Sequence, residues 1–100
     1  MDPSRKRRLR GEILALARRL GIGGISVEGI ENIYLRAGEH RLADNVAEAL
    51  HYLADKGYVI IHRERETFSG VERRLVSISA QGIDLLDRTI DEDPGVWIAD

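Results

Sequence analysis

Apolar residues recur every three or four positions from Leu9 through Ile13 and Leu16 to Leu20, the spacing that lines one side of an α-helix. Pro3 suits the first turn of this helix and Asp2 its N-cap. The glycines of "GIGG" (21–24) stop it, because glycine tolerates the left-handed backbone of a helix end. Ser26 caps a second predicted helix with Val27, Ile30, Ile33 and Tyr34 as its inner face, closed by Ala37-Gly38. A third begins near Arg41 or Leu42, buries Val46, Ala49, Leu50 and Leu53, and ends at Lys56-Gly57, where a cation suits the carbonyl end. The period then shortens. "YVIIHRE" (58–64) is rich in β-branched residues and predicts a strand, "RETFSGVER" a polar tip, and "RLVSIS" (74–79) the returning strand. Val76 and Ile78 fall on one face of that strand, Leu75 and Ser77 on the other. Ser79 caps a fourth helix carrying Ile83, Leu86 and Ile90, and "DEDPGVWIAD" is a tail.

Helix, helix, helix, hairpin, helix predicts an α+β fold, mostly α: a winged helix-turn-helix with a three-helix core, a two-stranded wing and a C-terminal helix. One domain is expected over residues 1–91, with a basic N-terminal end, followed by an acidic tail over 92–100. A two-stranded hairpin is marginal alone, so it must pack on the helices. The expected core is Leu9, Ile13, Leu16, Leu20, Ile30, Ile33, Val46, Leu50, Leu53, Val59, Ile61, Val76, Ile78, Ile83 and Leu86. The outer face of the third helix and the hairpin tip then project side by side. That pair fits duplex DNA, with the helix in the major groove and the wing on the neighbouring backbone.

"LHYLADKGYV" followed by "RRLVSISAQGIDLL" resembles the pattern of MarR- and PadR-type winged-helix regulators. In those, a leucine-rich helix ends in a charged residue plus glycine, and the second wing strand runs into a Ser/Thr-x-x-Gly helix start. More specifically, the chain resembles the small winged-helix proteins of Mu-like phages and prophages. That resemblance covers nearly the whole length, through "RLRGEILALA", "DNVAEALHYLADKGYV", "VSISAQGIDLL" and "DPGV". It implies a winged-helix fold and a phage or prophage context more than an activity. The chain departs from such regulators where bases would be read, at Leu42, Ala43, Asp44, Asn45, Ala47 and Glu48. Arg41 suits guanine and Asn45 adenine, whereas Glu48 suits a cytosine amine but repels phosphates.

Charge qualifies the picture. The net charge of −2 opposes general nucleic-acid binding. Its distribution is uneven: Arg5, Lys6, Arg7, Arg8 and Arg10 stand against Asp2 at the start, and Asp84, Asp87, Asp91, Glu92 and Asp93 against Arg88 near the end. Such a chain can still present a basic face. With no cysteine there is no disulfide or thiolate metal site, which fits a reducing cytoplasm. "RKRRLR" precedes a segment containing Glu12, Arg18 and Arg19, so no signal-peptide core follows, and no apolar run is long enough to span a membrane.

Each candidate site has two readings. Arg63 and Arg65 on the first wing strand, with Arg73 and Arg74 across the turn, form either a phosphate-holding wing or an edge ribbon guarded by cross-strand Arg–Glu pairs. Residues Arg5, Lys6, Arg7 and Arg8 are either a phosphate-gripping arm or a solvated helix end. His40, His51 and His62 are evenly spaced, but no two share one helix at metal-binding spacing, so no metal is expected. No catalytic constellation or cofactor motif is found, and the reading is non-enzymatic. Val96, Trp97 and Ile98 either pack back on the domain or cover a partner; a homodimer through Leu9, Leu16, Leu86, Ile90 and Trp97 is expected. Two functions stay open: a DNA-binding regulator of double-stranded DNA, and a winged-helix module that binds protein.

Overall fold

The computed structural model describes residues 1–21 and 24–99. The first helix, α1 (Pro3–Leu20), starts as its sequence dictates, with the Asp2 carboxylate accepting from the Arg5 N–H at 3.0 Å. It ends at Gly21, whose φ is 73°; the expected stop at Gly23 lies outside the described residues. A two-residue strand, β1 (Ile25–Ser26), follows, and Ser26 then caps α2 (Val27–Arg36) by accepting from the Gly29 N–H at 2.9 Å. The third expected helix is two: α3 (His40–Asp44) and α4 (Val46–Asp55), separated by Asn45 at φ −103°, ψ 1°. The hairpin pairs β2 (Val59–Arg65) with β3 (Glu72–Ile78), and Ser79 caps α5 (Ala80–Asp87) through the Gly82 N–H.

The protein is therefore α+β, with five helices among the described residues and an antiparallel sheet in the order β1-β3-β2. The sequence pattern did not reveal β1, because two residues have no period. Ile25 and Ser26 become a strand only by pairing with Val76 and Leu75 on β3.

Leu9, Ile13, Leu14 and Ala17 of α1, Val27 and Ile30 of α2, and Val46, Ala49, Leu50 and Leu53 of α4 close one core over Val59 and Val76 of the sheet and Leu85 of α5. The true stripes are rotated from some expected ones. Leu20 and Ile33 are exposed, and Leu16, Ile61, Ile78 and Leu86 pack at the core's edge. Ile83 is half-buried outside the cluster, while Leu85, two positions on, takes the inner place.

One further expectation changes. α5 is short: Arg88 takes the left-handed conformation (φ 61°), and Thr89 N–H returns to the Asp84 carbonyl. Ile90 therefore lies beyond the helix it was expected to belong to. Residues 92–99 of the expected acidic tail fold back as a strap across α1 and α4, the first of the two readings of Val96, Trp97 and Ile98. Val96 is 6% exposed in the core, and Trp97 N–H donates to the Arg7 carbonyl at 3.1 Å. No described helix is long and apolar enough to cross a membrane.

Candidate nucleic-acid interface

Strand register fixes which wing side chains share a face. Directly opposed residues point to the same side of a sheet, and alternate residues point to opposite sides. Ile61 opposes Val76, Arg63 opposes Arg74 and Arg65 opposes Glu72. The face that is apolar core at its base thus continues outward as Arg63, Arg65 and Arg74. Arg73 lies on the other face, with Glu64 opposite it. All four wing arginines are where the sequence pattern put them.

The structure forms cross-strand Arg–Glu pairs, as the alternative reading of the wing has it, and adds an acidic neighbour from another element. Arg74 reaches Glu28 on the first turn of α2, with Nη2 at 2.9 Å and Nε at 3.3 Å. That guanidinium, with the local backbone contact, holds the Glu28 carboxyl below its ordinary value. Arg63 stands 3.6 Å from Glu72 and Arg73 stands 3.9 Å from Glu66, all well exposed. Exposed pairs of this kind contribute about 0–1 kcal/mol each, so a phosphate can displace the glutamate at little cost.

The expected base-reading surface is rearranged. Arg41 is exposed, but on α3 rather than α4, because of the break at Asn45. The Asn45 amide donates to the Arg41 carbonyl at 2.7 Å, so part of its donor capacity is used inside the chain. Glu48 is held by Arg10 of α1 at 2.8 Å. The exposed side of α4 carries Ala47, Glu48, His51 and Asp55, and His51 pairs with Asp55 at 3.1 Å.

Nor are the N-terminal cations a loose arm. Arg5, Lys6, Arg7 and Arg8 all lie within α1, Arg7 donating to the Ser4 hydroxyl and Arg8 standing 5.0 Å over the Trp97 ring. α1 has no acidic residue in its first turn. Cations at the positive end of a helix dipole are unfavourable, by roughly 0.3–1 kcal/mol when exposed. The Asp2 carboxylate at the N-cap offsets part of this, and a phosphate would add to it.

Sequence reasoning missed a polar lock that joins α1, α4 and the strap. Asp93 accepts from the hydroxyls of Tyr52 and Tyr58, each at 2.8 Å, and from the Gly95 N–H at 2.7 Å. Arg10 donates to the Gly95 carbonyl and stands 3.9 Å from the Tyr52 ring centroid. Burial pushes the Asp93 carboxyl up, but the Gly95 N–H and the two hydroxyls outweigh it and hold it below its ordinary value. Burial and the same carboxylate push the Tyr58 hydroxyl up to about 12. The signal that pointed this way was "DPGV", a turn followed by an apolar residue.

The sign of the pH effect follows. A carboxyl whose value is lowered by folding stabilises the fold above its unfolded value and loses that effect as pH falls through the folded one. Asp93→Asn should cost about 1–3 kcal/mol at pH 7, as for a hydrogen-bonded charged group. The deficit against the native chain should shrink as pH drops below about 3.8, the ordinary value of the group. Urea titrations at several pH values check this; a deficit independent of pH would remove the carboxylate from the lock.

The dimer set divides as well. Leu9 is 1% exposed in its own core, so it offers nothing to a second copy. Leu16 and Leu86 are half-buried, while Ile90 and Trp97, at 37% and 47%, remain accessible. No family model, curated protein or solved structure matches the chain.

Proposed function

We propose that the protein is a non-enzymatic winged-helix DNA-binding protein, a regulator of phage or prophage type acting in the cytoplasm, that holds duplex chiefly by its phosphates. The observation that carries this reading is the wing. Arg63, Arg65 and Arg74 share one face of the hairpin, paired only with exposed glutamates or, for Arg65, with no salt-bridge partner among the described residues. The order α1-β1-α2, then α3 and α4, then the hairpin is compatible with a winged helix, in which α4 would serve as the recognition helix. α1 adds Arg5, Lys6, Arg7 and Arg8. Base reading is weak, because Asn45 is tied to Arg41 and Glu48 to Arg10. A second copy covering Ile90 and Trp97 would double the cationic surface.

Affinity made of phosphate contacts falls with salt, with a log–log slope of about −0.9 per phosphate neutralised. Arg73→Ala combined with Arg74→Ala should weaken binding to all sequences alike and flatten that slope by about one to two units. Anisotropy titrations of random duplex at two salt concentrations test it. Unchanged slope in the double variant would take the wing out of the interface.

A second reading has its own observation. The exposed side of α4, with Asp55 and neighbouring Asp44, is acidic and suits a basic protein partner. Failure of the intact chain to bind any duplex at low salt would leave that reading in place.

A further inference from the structure

The tip of the hairpin carries the chain's one phenylalanine, and Phe68 is 97% exposed. Nothing in the fold rests on it, and beside it Val71 is 55% exposed. An aromatic ring held in water contributes nothing to the core, and with Val71 it makes the tip of the wing apolar. The tip is nonetheless firmly built. Glu66 N–H donates to the Val71 carbonyl and Gly70 N–H to the Glu66 carbonyl, both at 2.9 Å, and Val71 N–H donates to the Ser69 hydroxyl at 3.2 Å. Gly70 sits at φ 68°, a conformation that costs glycine little. The ring is thus presented on a closed turn.

Its surroundings select the partner. Residues 67–71, "TFSGV", carry no charge, so the tip itself meets no repulsion from phosphates. Glu66 and Glu72 flank the tip, drawn toward Arg73 and Arg63 respectively, and the two strands beneath carry Arg65, Arg73, Arg63 and Arg74. From Ile61, at the core's edge, four residues of β2 carry the tip out by about 13 Å at ~3.3 Å each. A minor groove is about 7.5 Å deep, so the tip can reach its floor while the arginines remain level with the backbones. Thr67 and Ser69 flank the ring with hydroxyls of the kind that bond groove acceptors.

We propose that Phe68 is an apolar wedge that enters the minor groove of duplex DNA and partly unstacks one base step. This rests on the DNA-binding reading and adds a consequence to it: binding deforms the duplex. Unstacking is least costly at pyrimidine–purine steps, so TA and CA steps are the preferred points of entry. Sequence preference then arises from deformability, in a protein whose α4 offers little to the bases.

The test uses the full chain at low salt with duplexes carrying 2-aminopurine at a TA step, whose fluorescence rises on unstacking. Anisotropy of a labelled end follows binding in the same samples. Native protein should raise 2-aminopurine emission on saturation. Phe68→Ser, which touches no core residue, should lose that rise and bind about tenfold more weakly; Phe68→Trp should keep both. Binding by the native chain with no rise, or an equal rise with Phe68→Ser, overturns the wedge and leaves the DNA-binding reading standing. Unchanged DNA affinity in Phe68→Ser, together with loss of self-association by light scattering, makes the tip a contact between copies and also overturns it. Absence of any duplex binding overturns both.

Discussion

Leu50→Ala should lose about 2–5 kcal/mol of unfolding free energy, the cost of deleting a fully buried leucine and leaving part of its cavity unfilled. Leu50 is 1% exposed on α4, in one cluster with Leu9, Ile13 and Leu14 of α1 and Val76 of β3. A domain of this size should unfold in one step, so a urea midpoint at constant slope measures the loss. The thermal midpoint should fall by about 4–8 °C per kcal/mol. Ile33→Ala is the matched control. The helical period alone puts both residues in the core, yet Ile33 is 44% exposed, and its truncation should stay within about 0.5 kcal/mol. Equal losses at the two positions would mean that the α2 face is placed wrongly; a Leu50 loss under about 0.5 kcal/mol would do the same for α4.

That contrast also marks where the sequence is legible. Local chemistry was readable: Asp2, Ser26 and Ser79 cap helices with the N–H groups three residues on, and Lys56-Gly57 ends α4. The hairpin was readable too, from the β-branched run of β2 and the alternation of β3 on either side of a polar tip. Features set by distant partners were not. β1 exists only because Val76 and Leu75 pair with it. The α3–α4 break at Asn45 interrupts a run whose apolar spacing continues through it. At the candidate site, the positions of Arg63, Arg65, Arg73 and Arg74 followed from the strand period. So did the cross-strand pairs of Arg63 with Glu72 and Arg73 with Glu66, but not the partners from other elements: Arg74 meets Glu28 across 46 residues of sequence, and Glu48 meets Arg10 across 38. Such pairs have no local period to betray them.

Gly11→Ala should destabilise the protein although helix propensity alone says the opposite. Glycine inside a helix is worse than alanine by about 0.8–1.0 kcal/mol, so in a bare α1 the change would stabilise. Gly11 is buried in the middle of α1, and a Cβ built there runs into the main-chain carbonyl of Trp97. The obstacle is backbone, pinned by the Trp97 N–H on the Arg7 carbonyl and by Val96 in the core just before it. It cannot rotate away as a flexible side chain would. Overpacking at such a point costs about 1–3 kcal/mol. The strap is the part that can yield, since its lock is a set of hydrogen bonds from Tyr52, Tyr58 and Gly95 to Asp93. Gly11→Ala should therefore lower stability and red-shift Trp97 emission as the strap lifts. In the double variant with Asp93→Asn, whose strap is already loosened, the alanine should cost less than it does alone, a coupling of about 0.5–3 kcal/mol. Stabilisation by the single substitution, or strict additivity of the two, would mean that residues 92–99 do not seat on α1 in solution.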